Sequence, residues 1–182
     1  MPFEEKGAIR SILLAFLQQM GLSLQSIPFD AAFADAALKF GYQHYGFKKE
    51  VIDTPEFHRT WHSAIPMTVN MFSHLRDIRT KYWIALYSAS IIFFDDLSVI
   101  DPGPFREFHT RFICAESQKH PLLDTYASLL RNATQHFHPS AANLIISSSL
   151  DFITGLVLEY DYEKMKVNGL LIVNQADKSQ GS

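Results

Sequence analysis

The sequence predicts an all-α protein, a bundle of helices folded as one domain. Three observations predict it. Apolar residues recur at helical spacing along nearly the whole of the 182-residue chain. No segment alternates apolar and polar residues in the manner of a strand. Prolines punctuate the pattern at Pro28, Pro55, Pro104, Pro121 and Pro139, each where a helix would open.

Composition sets the outer bounds. Hydrophobic residues make up 47% and charged residues 19%, with a net charge of −3, which suits a globular chain with a substantial core. The near-neutral balance leaves no basic excess to neutralise phosphates, so a nucleic-acid binder is not expected. The one cysteine, Cys114, excludes an internal disulfide framework and a cysteine-based zinc cluster. The start, Met1-Pro2-Phe3-Glu4-Glu5, carries acid where a signal peptide carries base, so a reducing, cytoplasmic setting is expected. The strongest apolar run, Tyr82 to Phe94, is shorter than the ~20 residues that span a bilayer, so no membrane span is expected.

The elements follow in order. Ile9, Ile12, Leu13, Phe16 and Leu17 mark an apolar stripe that Gly21 can close. A break at Ser26-Ile27-Pro28 precedes a helix over 29–45 that uses Ala31, Ala32, Ala36, Leu38 and Phe40. Asp53-Thr54-Pro55-Glu56 reads as a helix start, with a capping side chain, a proline in the first turn and an acid at the positive end of the dipole. Pro66 falls well inside that helix and predicts a kink. A further helix covers about 80–97, and Asp101-Pro102-Gly103-Pro104 is a loop. Helices over about 104–119, 121–136 and 139–163 complete the bundle. From Val167 onward the character changes: Leu170-Leu171-Ile172-Val173 is a short apolar run, and the end from Gln175 is polar. The expected division is a helical domain over 1–166 and a divergent, disordered tail over 167–182.

The chemistry concentrates where the apolar run meets Asp95-Asp96. A helix that is apolar on every side is buried. Two adjacent carboxylates at its C-terminal end meet a negative dipole, each other's charge and desolvation. Three readings are open. The helix is emerging and the pair is a solvated turn; or a carboxylate is paired with an arginine; or the pair binds a divalent cation. A hard cation such as Mg2+ prefers carboxylate oxygens, keeps waters for a phosphate ligand, and reverses the local electrostatics.

An apolar helix ending in Phe94-Asp95-Asp96 resembles the aspartate-rich motif of class I terpene synthases. The resemblance extends in order through Pro102 to Pro104, Glu116 to His120, His136-Phe137, Asn143-Leu144-Ile145 and Leu150-Asp151-Phe152-Ile153-Thr154-Gly155, with Glu159 behind. Over about 31–163 the chain is similar to the first half of the fungal trichodiene synthase-like sesquiterpene cyclases. That resemblance implies half of an all-helical cyclase fold and a lyase of isoprenoid secondary metabolism. It implies Mg2+ held by Asp95, with Asp96 in support, and farnesyl diphosphate as substrate. Metal-assisted loss of diphosphate would be followed by carbocation cyclisation in an apolar pocket.

The chain also departs from the family pattern. Val99 stands where the motif's third acid is expected, and the next acid, Asp101, comes two residues later. A second metal motif of Asn, Ser/Thr and Glu is absent, since neither Asn168 nor Asn174 is followed by the required residues. The diphosphate-sensing arginine and the late Arg-Tyr pair are missing too. A weak or inactive isolated chain is therefore expected. The alternatives are a truncated, non-catalytic pseudoenzyme, or a helical interaction protein using apolar faces left open, with self-association as its signature.

Other constellations weigh less. His58 and His62 share a helix face but lack the intervening glutamate of a zinc-protease helix, so a surface or partly buried pair is expected. His136-Phe137-His138 suits a helix C-terminus. Arg76, Arg79 and Lys81 lie ~25 Å from Asp95 along the helix, too far to share its site. Asn132-Ala133-Thr134 matches a glycosylation sequon in a chain with no sign of export. The aromatic residues are core by default, with cation–π roles open only for those beside Asp95.

Overall fold

The computed structural model describes residues 3–22 and 28–179, with side chains over 7–22 and 28–166. Most of the Ser26-Ile27-Pro28 break, the side chains of Leu170-Leu171-Ile172-Val173 and the extreme end at 180–182 lie outside the described residues. Within them every regular element is helical: α1 (Phe3–Gln19), α2 (Ala31–Tyr45), α3 (Lys49–Ile52), α4 (Pro55–Met71), α5 (Ile78–Ile100), α6 (Gly103–Arg106), α7 (Phe108–Ile113), α8 (Pro121–Arg131) and α9 (Pro139–Ser179), with a 3-10 turn at Ala133–Gln135.

α5 is the axis of the bundle. It packs against α2, α4, α8 and α9 and buries residues around its whole circumference, among them Trp83, Leu86, Ala89, Phe93 and Phe94. The indole Nε1 of Trp83 donates to the Leu129 carbonyl at 3.1 Å, which ties α5 to α8 and satisfies its one polar atom. Asp77 caps α5, accepting from the Arg79 and Thr80 amides and from the Thr80 hydroxyl. α2 and α5 approach closely at Gly41, where an added Cβ would lie 3.0 Å from Leu86 Cδ2 and from Phe47 Cδ2.

Local signals account for most element ends. Thr54 caps α4 by accepting from the Phe57 amide, Pro55 opens it, and Pro66 sits inside it. Gly21 follows α1 at φ 68°, as its C-terminal placement in the sequence predicts. Other boundaries differ from expectation. The single helix predicted over 104–119 is two short ones, and α7 ends in a turn where Ala115 takes φ 56°. α8 stops at Arg131, where the Asn132 side chain donates back to the Ser128 carbonyl at 2.9 Å and the backbone tightens into the 3-10 turn. α9 runs past Glu163 to Ser179, through Lys, Met, Leu and Ala residues that favour helix and without a proline.

Two helices reach the length and hydropathy of a membrane span. α5 has a mean hydropathy of 1.5 over its most apolar window, and α9 over Pro139–Lys166 has 1.6. The run Tyr82–Phe94 falls short of that length, but the helix built around it gains Leu97, Val99 and Ile100 beyond the aspartates. Half of the α5 window is buried inside the bundle, and 22% of the α9 window.

Candidate functional site

Asp95 and Asp96 lie in the last two turns of α5, and both are exposed. The desolvation expected from the apolar run does not arise. Phe93 and Phe94 face the core just before them, but Val99 and Ile100 just after are 71% and 80% exposed. The helix is already leaving the bundle when it reaches the acids. The backbone stays helical through the pair to Ile100, and the Ser98 hydroxyl donates to the Asp95 carbonyl at 3.2 Å. Asp101 closes α5, its carboxylate accepting from the Gly103 amide at 3.1 Å.

The pair faces a cavity of about 600 Å³ between the end of α5 and one face of α9. From α5 come Asp95, Asp96, Ser98, Val99 and Ile100; from α9 come Leu156, Glu159, Tyr160, Glu163 and Lys164. The α9 set follows i, i+3, i+4, i+7, i+8, the spacing that puts five side chains on one stripe. Bond periodicity alone therefore turns Glu159, Tyr160, Glu163 and Lys164 toward the aspartates. Leu156, at 6% exposure, forms the floor, and the acids and Lys164 lie toward solvent.

The donor chemistry suits a hard cation. Asp95, Asp96, Glu159 and Glu163 all line the cavity, and among the described residues none of them is in an ion pair. Their lone pairs are available. Among the described residues no three His, Cys, Asp or Glu side chains converge as a ready-made metal cage. Carboxylate oxygens are the donors a hard cation such as Mg2+ takes, and one or two of them suffice where water and phosphate fill the other positions. Asp95 and Asp96 are the residues that would hold it.

The other sequence candidates fall elsewhere. His58 and His62 are exposed on α4, with the His62 ring 4.4 Å from Phe29. Arg79 lies over the Phe40 ring, and Lys81 Nζ donates to the Ser73 carbonyl at 3.3 Å, both at the far end of α5. His138 Nδ1 accepts from the Ser140 amide at the start of α9, so it serves the next helix's N-terminus. His136 closes the 3-10 turn, its amide donating to the Ala133 carbonyl at 3.0 Å, and its Nε2 lies 2.7 Å from the Tyr45 hydroxyl, joining α2 to the turn before α9. Among the site residues on α9, motif reading leaves out Leu156, Tyr160, Glu163 and Lys164. Their signal was the α9 stripe itself.

No protein-family model and no solved structure matches the chain. Three similar proteins frame it. The alpha-cuprenene synthase of Coprinopsis cinerea is 26% identical over 91% of this chain and 50% of its own length. Monoterpene synthase 25 of Postia placenta is 30% identical over 53% of this chain and 30% of its own. The longiborneol synthase of Gibberella zeae is 36% identical over 45% of this chain and 24% of its own. The chain thus spans at most about half the length of these relatives. The chain's likeness is to the terpene synthases of fungi, a broader group than the trichodiene synthase-like cyclases its motifs suggest.

Proposed function

We propose that the chain carries the aspartate half of a terpene cyclase-like site that takes an isoprenoid diphosphate, with farnesyl diphosphate as the preferred length. One observation supports this most directly. The exposed Asp95-Asp96 pair shares a single cavity with the apolar walls of Leu156, Val99 and Ile100. A ligand with a polyanionic head and a hydrocarbon tail matches both surfaces. Asp95 and Asp96 orient the head through the cation they hold. Leu156 and its neighbours shield the tail from water, and the Tyr160 ring offers a π face to positive charge. When bound, Mg2+ neutralises charge on the departing diphosphate.

The reading is tested by thermal melting of the full chain with Mg2+, farnesyl diphosphate, and both together. The pair together should raise the melting temperature, because a ligand at 100 times its Kd adds about 2.7 kcal/mol to the folded state. Asp95→Ala should remove the rise. An unchanged melt for the wild-type chain with both ligands would end this reading.

A second reading is binding without turnover, since the chain spans about half or less of the length of the relatives it matches. It predicts the same melting shift with no hydrocarbon released. Release of a sesquiterpene by the purified chain would exclude it.

A further inference from the structure

Lys164 is the one cation that lines the cavity among the described residues, against the four carboxylates of Asp95, Asp96, Glu159 and Glu163. Helical spacing offers it one carboxylate, and that one is taken. Side chains meet along a helix at three and four residues. At those positions around Lys164 stand Tyr160 and Asp161 before it, and Val167 and Asn168 after it. Asp161 is already engaged, accepting from both Nη atoms of Arg106 at 3.0 and 2.5 Å. Glu163 is the adjacent residue, which helical geometry turns to a different azimuth. The ammonium instead rests over the ring of Tyr160, 5.3 Å from its centroid. A lysine held by a π face keeps its N–H donors unspent, since the ring takes none of them as a strong acceptor.

We infer that Lys164 is a phosphate-binding residue of this cavity, donating to the oxygens of a diphosphate that a divalent cation seats against Asp95. The inference rests on the reading above that the cavity takes a diphosphate, and it adds a residue to that reading. The charges set the order of events. Four carboxylates repel a free diphosphate, so the anion is drawn in only after Mg2+ has offset them. Lys164 then exchanges the ring of Tyr160 for a charge-assisted hydrogen bond, the stronger of the two contacts. This exchange bares the Tyr160 face to whatever occupies the apolar part of the cavity.

Calorimetry with inorganic pyrophosphate tests the assignment, using the full chain with and without saturating Mg2+. Wild type should bind pyrophosphate only with Mg2+. K164Q should bind it roughly tenfold more weakly, the lower range for a hydrogen bond to a charged group. K164R, which keeps the charge and the donors, should recover most of that loss. K164R, which conserves the charge, should show the wild-type response to Mg2+ alone, and circular dichroism should confirm an unchanged helix content in both variants. If K164Q binds pyrophosphate as tightly as wild type while Asp95→Ala does not bind it, the role of Lys164 is refuted and the diphosphate reading stands. If wild type shows no Mg2+-dependent pyrophosphate binding, both fall together.

Discussion

At Asp95 the position of the residue, more than its charge, decides what a substitution does. An exposed carboxylate at a helix end is solvated, and its like-charged neighbour is screened. Asp95→Asn should therefore change metal-free stability by less than about 0.5 kcal/mol, as surface substitutions do. The Mg2+-dependent rise in melting temperature should still disappear. A gain well above that in metal-free buffer would mean the pair is strained in the folded state. His136 behaves in the opposite way. It packs against Tyr45, Phe40, Trp83 and Phe137, and its Nδ1 is buried without a partner among the described residues. Burial holds its pKa below the ordinary histidine value; Asp77 opposes that shift, while Arg79 and His44 reinforce it. Burial lowers His120 too, against the pull of Asp101. The Tyr45 phenol, pushed up to about 12 by burial, stays neutral throughout. A depressed histidine stabilises the fold above its unfolded value of about 6.5 and loses that contribution as pH falls below it, because only the unfolded chain takes the proton. The melting temperature should drop between pH 7.5 and 5.5, and His136→Gln should flatten the slope. An identical slope in the variant would remove His136 from the account.

Between elements, the crossing of α2 and α5 makes the sharpest demand on sequence. Gly41 is buried on a helix interior, where alanine is intrinsically favoured by about 1 kcal/mol. A methyl group there would meet Leu86 Cδ2 and Phe47 Cδ2 at 3.0 Å, and both side chains are buried in the core. Overpacking of that kind costs ~1–3 kcal/mol, so Gly41→Ala should destabilise by roughly 1 kcal/mol net in a denaturant titration. A stabilised variant would show that α2 shifts freely on α5. Elements like these were legible where the signal is local. Thr54-Pro55 starts α4, and the all-round apolar pattern of 82–94 marks α5 as central. The breaks at Arg131 and at Cys114 were not legible. They depend on an asparagine folding back on its own helix and on Ala115 entering the left-handed region, which no periodicity announces. The site divides the same way. Asp95-Asp96 stands out in sequence because charge interrupts an apolar run. Its exposure does not, because it depends on where α5 leaves the bundle. The stripe of Glu159, Tyr160, Glu163 and Lys164 was present in the pattern, but only the packing of α9 beside the end of α5 tells which wall it forms.

Across the whole molecule, the distribution of apolar surface is uneven. α8 buries its apolar residues and α5 buries most of its own, apart from its ends at Ile78, Val99 and Ile100, whereas α1 contributes nothing to the core among the described residues. Its stripe of Ile9, Ile12, Leu13, Phe16 and Met20 is 46–69% exposed. Ile9, Ile12, Leu13 and Phe16 belong to the stripe the sequence predicts; its fifth member, Leu17, is half-buried, and Met20 extends the exposed face. Leu144, Leu158 and Met165 are likewise 63–70% exposed along α9. Burying one such leucine or phenylalanine is worth about 1.5–3 kcal/mol, and contiguous apolar surface of this kind drives association. The chain should therefore sediment with a weight-average mass that rises with concentration. Replacing Ile12 and Phe16 together by aspartate should return it toward the monomer, because both sit on the exposed stripe and neither supports the core. The bundle from α2 onward should melt unchanged in that variant, since no buried contact is touched. If the wild-type chain sediments as a monomer at every concentration, the α1 stripe is covered within the molecule. The same double substitution should then lower the melting temperature instead of the mass.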